Sequence, residues 1–158
     1  MTEPVVLTIP GRPVGKQRAG RNGRHSYTLP ATKAFQDAVG INARPHFPQP
    51  MEGPVRLTII ATFKPPESWT KARRAAAIGQ AHTSTPDGDN VAKAVQDGLN
   101  RVAWRDDRQV SRLDVRKYWG HVECTVVTIE PDVLFSEHFT LAGSPPYDGG
   151  DETDEFST

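Results

Sequence analysis

Val55-Arg56-Leu57-Thr58-Ile59-Ile60-Ala61-Thr62-Phe63 alternates along nearly its whole length. A period of two sends Val55, Leu57, Ile59, Ala61 and Phe63 to one face and Arg56, Thr58, Ile60 and Thr62 to the other, which describes a strand with one strongly apolar side. Such a strand needs neighbours. Residues 5–9 supply a short one, ended by Pro10-Gly11-Arg12-Pro13, since neither Pro nor Gly favours continuing a ladder. Residues 110–118 and 121–130 supply two more, the first basic and the second alternating, and their closeness in the chain predicts a hairpin turning at Trp119-Gly120.

The apolar face of those strands must be covered. At 100° per residue, Val91, Val95, Leu99 and Val102 fall within about 80° of one another on a helix over residues 89–102, while Asp89, Lys93, Gln96, Asp97 and Asn100 gather within about 100° on the opposite side. One helix thus carries both a core face and a face loaded with chemistry. Residues 31–43 form a second helix, with Phe35, Ala38, Val39 and Ala43 spaced for one side, until the Pro-rich residues 45–54 break it. After Pro65-Pro66, Ser68 is placed to cap a short helix over Lys71–Ala77 that ends near Gly79.

At 158 residues the chain has the size of one domain and can bury a core without disulfides or a structural metal. Cys124 is the single cysteine, the N-terminus lacks the basic-then-apolar layout of a secretory signal, and no apolar run approaches the roughly 20 residues of a membrane span. These features predict a cytoplasmic protein with no membrane partner. The formal charge of zero conceals segregation: residues 132–158 hold seven acids and no Lys or Arg, which leaves 19 basic against 12 acidic residues, a surplus of seven, in residues 1–131. The expected organisation is a domain over 1–131 and an acidic, disordered tail over 132–158. A basic body suits a polyanion such as nucleic acid, although many proteins of similar charge bind none. Lys16, Arg18, Arg21 and Arg24 lie in a stretch, residues 15–24, with three glycines and no aliphatic side chain larger than alanine, so it should be mobile unless bound to something anionic. A tail that competes with DNA for this loop is a further expectation, and its deletion should then tighten DNA binding at low salt.

The chemistry-bearing segment is Pro86-Asp87-Gly88-Asp89-Asn90, followed by Lys93, Asp97 and Trp104-Arg105-Asp106-Asp107. Two carboxylates two residues apart at a loop-to-helix junction can aim at one spot, and further acids alongside would make a hard, all-oxygen site suited to Mg²⁺. Lys93, one helical turn past Asp89, would set an ammonium against a phosphate held there. A plainer reading fits the spacing equally well: Asp87 and Asp89 as turn and cap residues, and Lys93 as the i,i+4 partner of Asp89 or Asp97 on a solvated face. A calcium loop of the EF-hand type is excluded, because its fifth, glycine and glutamate positions would be Val91, Ala92 and Gly98.

Pro-Asp-Gly-Asp-Asn-x-x-Lys-x-x-x-Asp-x-Leu-Asn over residues 86–100, then Trp-x-Asp-Asp-x-Gln-Val over 104–110, resembles the signature of the RusA family of crossover-junction endodeoxyribonucleases. The start is similar too, with Ile9-Pro-Gly-Arg-Pro-Val-Gly-Lys-Gln-Arg18, then Tyr27-Thr28 and Thr32, so the likeness covers about residues 5–129. It implies an α/β (α+β) fold with a small mixed sheet and helices mainly on one face, a homodimer, and a Mg²⁺-dependent nuclease, with Mn²⁺ able to substitute, that resolves four-way (Holliday) junctions. Many members are encoded by phages or prophages, which would place the protein in a bacterial host's cytoplasm. Asp87, Asp89 and Asp107 match the family's metal-binding acids, Asp106 is the less certain half of its pair, and Lys93 matches the catalytic lysine. Asn90, Asp97 and Gln109 match the motif in supporting places, while Lys16, Arg18, Arg21, Arg24 and Lys117 are candidates to grip DNA backbone. Gly88 departs from the family pattern, where a larger or apolar residue is commoner, and the acidic tail is an extension. Two other readings stay open: a non-catalytic protein of this fold that recognises branched DNA, and a metal nuclease acting on other branched DNA.

Overall fold

The alternating stretch forms β4 (Val55–Phe63), the strand on which the molecule is built. In the computed structural model, which describes residues 3–18 and 20–133, β4 lies inside a four-stranded mixed sheet of order β1-β6-β4-β5, with β1 (Val5–Pro10), β5 (Val110–Trp119) and β6 (Cys124–Pro131). β6 runs antiparallel to both β1 and β4, and β5 runs parallel to β4. The alternation is realised in full: Val55, Leu57, Ile59, Ala61 and Phe63 are all completely buried. Register places Leu57 opposite Ile129, and Ile59 opposite Val127, which in turn faces Leu7, so one apolar surface crosses three strands.

Two helices cover that surface. α1 (Pro30–Ala43) begins with proline at its first position, where the missing N–H costs nothing, and buries Phe35, Val39 and Ala43. The third helix along the chain, α3 (Gly88–Leu99), buries Val91, Ala92, Ala94, Val95 and Leu99. The two touch at Gly40 and Gly98: a Cβ on Gly98 would stand 2.7 Å from the Gln36 carbonyl oxygen and 2.9 Å from Val39 Cβ, so the helices approach more closely than a side chain would permit. α3 stops before Val102. Arg101, at φ 65°, donates its backbone N–H to the Trp104 carbonyl, turning the chain and leaving Val102 partly buried against the core.

Three expectations need correction. β5 and β6 form no hairpin, because β4 lies between them and residues 120–123 carry the chain past its end. The assignment follows burial: β6 buries Thr125, Val127 and Ile129 on its inner side and takes an interior position, whereas β5, with exposed Ser111, Arg112, Leu113 and Arg116, takes the edge. Sequence proximity favours pairing of consecutive strands, but here that preference is overridden. The short helix α2 (Lys71–Ala77) is capped not by Ser68 but by Thr70, whose hydroxyl accepts the Arg73 N–H at 3.2 Å. The basic stretch, residues 15–24, is not loop throughout either, since β2 (Gly20–Asn22) within it pairs with β3 (His25–Tyr27) just beyond it in a small hairpin turning at Gly23 with φ 62°.

The outer edge of β5 is itself covered at its C-terminal end. The Gly79 N–H reaches the Trp119 carbonyl, the Trp119 N–H reaches Gln80, and the His82 N–H reaches Lys117. Asp132 closes the sheet by donating its N–H to Pro54 and by accepting from Ser111 at 2.6 Å and Arg112 at 3.0 Å. The expected disorder beyond it concerns residues 134–158, which lie outside the described residues. Among the described residues, no helix is long and apolar enough to cross a membrane.

Candidate active site

α3 is strongly two-sided, and its polar stripe Asp89, Lys93, Asp97 rises at intervals of four. Asp87 occupies the N-cap of α3 with extended backbone, and its carbonyl accepts the Val91 N–H. Its carboxylate, however, caps nothing and has no other hydrogen-bond or ion-pair partner among the described residues. A residue kept only for capping would bond the free N–H groups of the first turn. Asp89 is also exposed, with one oxygen accepting the Asn90 N–H at 2.9 Å. The turn before them, Thr85-Pro86, has a cis peptide bond and is anchored by Lys117, whose ammonium donates to the Ser84 carbonyl at 2.8 Å and the Pro86 carbonyl at 2.7 Å.

The second acidic pair arrives from the other end of the helix. Asp106 and Asp107 begin a one-turn 3-10 helix, Asp107–Gln109, and the two side chains point to different tasks. Asp106 accepts the Arg108 N–H at 2.9 Å and holds the Arg108 guanidinium, which keeps its carboxyl below the ordinary aspartate value. Gln109 completes the cap: its Oε1 accepts from Arg105 and Asp106, and its Nε2 donates to the Met51 and Gly53 carbonyls. Asp107 turns inward instead. One oxygen accepts the indole N–H of fully buried Trp104 at 3.0 Å, and the other meets Lys93 Nζ at 3.2 Å.

Lys93 therefore bridges α3 and the 3-10 turn, since it also reaches Asp97 Oδ1 at 3.3 Å. Partial burial pulls its pKa down, but hydrogen bonds and charge from Asp107 and Asp97 outweigh that loss and hold it above the ordinary lysine value. Asp97 is the hub of the stripe. Its Oδ2 accepts from Lys16 at 2.6 Å and from Gln36 on α1 at 3.2 Å.

Lys16 brings in the basic loop, whose backbone is pinned at the same place: the Lys16 N–H donates to the Asn90 carbonyl at 2.8 Å. Gly15 allows this approach, because a Cβ there would come within 2.7 Å of Pro86 Cβ and 3.1 Å of Asn90 Cβ. Between loop and helix lies an open groove of about 840 Å³, with Arg12, Lys16, Arg18, Asp87 and Asn90 on its walls. Arg18 is exposed there, Arg24 is exposed at the turn of the β2–β3 hairpin, and Arg21 lies in β2 with a side chain outside the described set.

The structure thus brings together Lys16, Lys93, Asp97 and Asp107 directly, and sets Asp87, Asp89 and Asn90 at the start of the same helix. Among the described residues, no three His, Cys, Asp or Glu side chains stand together as a ready-made cation cage. The donors available are hard oxygens, two of them on exposed residues at a helix start beside a basic groove, and that matches an ion which binds through few carboxylates and completes its shell with water and phosphate. Sequence reading missed two contributors: Trp104 was visible only as a motif letter, and Gln36 carried no signal. Away from the site, His82 sits buried between Phe63 and Trp119 with both ring nitrogens unpartnered. Burial, with the positive charges of Lys117 and Arg12, lowers the His82 pKa.

Comparison with known proteins matches residues 10–130 to the family model described as endodeoxyribonuclease RusA. The chain is also similar to a curated Bacillus subtilis (strain 168) protein named Uncharacterized protein YqaN, 32% identical over 125 residues that make up 73% of this chain and 88% of that one.

Proposed function

The chain belongs to the RusA endodeoxyribonuclease family, and from that premise we propose that it is a Mg²⁺-dependent nuclease that resolves four-way DNA junctions in recombination or repair. The observation that carries this reading is the free carboxylate of Asp87, an aspartate in the capping position that does not cap, facing a groove lined by Arg12, Lys16 and Arg18. Asp87, Asp89 and Asp107 would hold the ion, with Asp106 the weaker candidate because Arg108 already occupies it. Bound there, Mg²⁺ would supply an acidified water and offset charge on the phosphodiester; Mn²⁺ would serve in its place.

The chain's own residues have definable parts. Lys93 stays charged and is held by two carboxylates, so it is poised to hand one hydrogen bond to a phosphate oxygen. Trp104 orients Asp107 through its indole N–H, and Gln109 fixes the turn that presents it. Asp97 couples Lys93 to Lys16, which ties the basic loop to the acidic stripe. Lys117 acts by anchoring the turn that precedes Asp87. A four-way junction has near two-fold symmetry and requires two opposed cuts, which a two-fold homodimer would match. Backbone contacts would supply much of the affinity and branched shape the specificity. Such a substrate belongs in the cytoplasm of the bacterial host.

Cleavage of a labelled synthetic four-way junction, compared with linear duplex, tests the proposal with Mg²⁺ or EDTA and with Asp89→Asn beside the wild type. Paired symmetric nicks on the junction only, lost with EDTA and in the variant, are expected. Tight junction binding without cutting would transfer the reading to a non-catalytic branched-DNA binder, and cutting of flaps or other branches in preference would make it a nuclease of different substrate range.

A further inference from the structure

A second pocket, of about 310 Å³, lies beyond the C-terminal ends of the parallel strands β4 and β5, between them and α2. Lys64, Lys71, Arg74, Ile78 and His121 line it. Its charge is unbalanced. Neither Lys64, Lys71 nor Arg74 is in an ion pair with any acid among the described residues, and α2 itself, Lys-Ala-Arg-Arg-Ala-Ala-Ala, carries no acid. Arg74 Nε is moreover buried without a hydrogen-bond partner. A buried guanidinium N–H left unpaired is unfavourable, and an incoming oxygen would satisfy it.

The support beneath this pocket is built, not incidental. The Arg73 guanidinium lies 3.8 Å over the Trp69 ring, Trp69 packs on Trp119 at 5.2 Å, Trp119 on His82 at 4.2 Å, and His82 on Phe63 at 4.0 Å. This chain of rings fixes α2 against the strand ends. Arg12 connects the pocket to the candidate active site: it lines the groove beside Asp87, lies 5.4 Å over the Phe63 ring, and pairs at 3.0 Å with Glu123. The same Glu123 oxygen accepts the backbone N–H of Lys64, the first residue of the second pocket, at 3.5 Å. Arg12 of the groove and Lys64 of the pocket are thus neighbours on Glu123, which sets the two basic concavities side by side.

We propose that the pocket of Lys64, Lys71 and Arg74 is a phosphate-binding site for the DNA backbone, gripping an arm of the substrate away from the scissile bond. An Arg fork beside two ammonium groups suits phosphodiester oxygens. Two basic concavities set side by side through Glu123 suit a polymeric anion better than an isolated phosphate. This rests on the reading of the chain as a DNA enzyme.

The test is binding of a fluorescent four-way junction in EDTA across a salt series, using the full chain, with cleavage in Mg²⁺ at saturating protein as the second readout. Lys71→Gln/Arg74→Gln should weaken binding at low salt by about ten-fold or more and flatten the log K against log salt slope by about two, with cutting at saturation retained. Lys71→Glu, on an exposed side chain that the fold does not need, should act in the same direction, and Lys71→Arg/Arg74→Lys should restore most of the affinity. Wild-type affinity and slope in both the double variant and Lys71→Glu would overturn the site while leaving the nuclease reading intact. A wild type that binds without cutting, and loses binding in the variants, would uphold the site and sink the nuclease reading. Reversal of wild-type binding by millimolar inorganic phosphate, with Lys71→Gln/Arg74→Gln insensitive to it, would reassign the pocket to a free phosphate and overturn the DNA assignment.

Discussion

The turn that carries Asp87 and Asp89 and the turn that carries Asp106 and Asp107 present similar acidic pairs in opposite conditions. The first is open: Asp87 has no partner among the described residues, and Asp89 bonds only the adjacent N–H. The second is committed, with Asp106 locked to Arg108 and Asp107 shared by Trp104 and Lys93. A folded chain that gives hydrogen bonds to one pair of carboxylates and leaves the other open separates a turn already held in place from one whose oxygens are still exposed. Lys93 stands between them as the only described side chain that joins α3 to the committed turn through an ion pair.

The strongest way to break this contrast is to neutralise the two members of the committed turn separately. Asp107→Asn should lower the rate of junction cutting by about 10² to 10³-fold, the scale of losing one electrostatic contact in a reacting site. Asp106→Asn should retain most activity and show itself as a modest fall in thermal midpoint, because its role is to cap the 3-10 turn. Equal loss of activity in both would erase the distinction. Mg²⁺ added at ten times its dissociation constant should stabilise the wild type by about 1.4 kcal/mol in thermal melts, as expected for a ligand of the folded state only. Asp106→Asn should keep that gain and Asp89→Asn lose it; a gain that survives Asp89→Asn would move the ion elsewhere.

Smaller changes sharpen the comparison. Trp104→Phe deletes the indole donor to Asp107 while nearly preserving the buried ring, and should reduce cutting by about ten-fold, the equivalent of one hydrogen bond of about 1.4 kcal/mol, with unchanged junction affinity. Weakened junction binding would mean that Trp104 serves the fold more broadly than that one bond. Gly88→Ala is the mildest. Its Cβ would meet only Val115 Cγ1 at an ordinary 3.8 Å, so the variant should gain about 0.4 to 1 kcal/mol, because alanine leaves the unfolded chain less conformational entropy to lose than glycine does. If the open turn must adjust to receive an ion, cutting will fall as the melting point rises; rising together would show the turn is already set.

Much of the architecture could be read from the chain because it depends on periods. β4 and the buried stripe of α3 are local patterns; β4 appears as predicted, and α3 buries Val91, Val95 and Leu99 as predicted but stops short of Val102. The order of strands is not local: β5 and β6 are each suited to lie beside β4, and only burial of Val127 and Ile129 against exposure of Arg112 and Arg116 decides which takes the edge. The candidate site shows the same division. Asp87, Asp89, Lys93 and Asp107 were marked by their resemblance to a family signature, whereas the Lys16–Asp97 pair joins positions 81 apart and leaves no trace in spacing. The charge of Lys117 is equally silent about its place, since its ammonium is engaged with two carbonyls of the turn it supports.

The strip formed by Gln80 and His82 along β5 has a consequence for how copies of this protein coexist at high concentration. A bare edge with ten residues of unpaired N–H and C=O groups is a template for another strand, and growth from such edges leads to aggregates. Here the end of β5 that carries Lys117 and Trp119 is already paired by the chain's own loop, and along the remainder Arg112 and Arg116 set ion pairs with Asp132 and Asp114 where another strand would have to dock. The opposite margin, β1, is short and closes at Pro10, a residue with no N–H to offer. Colloidal stability is therefore written into both borders of the sheet, leaving association to be governed by faces and not by edges.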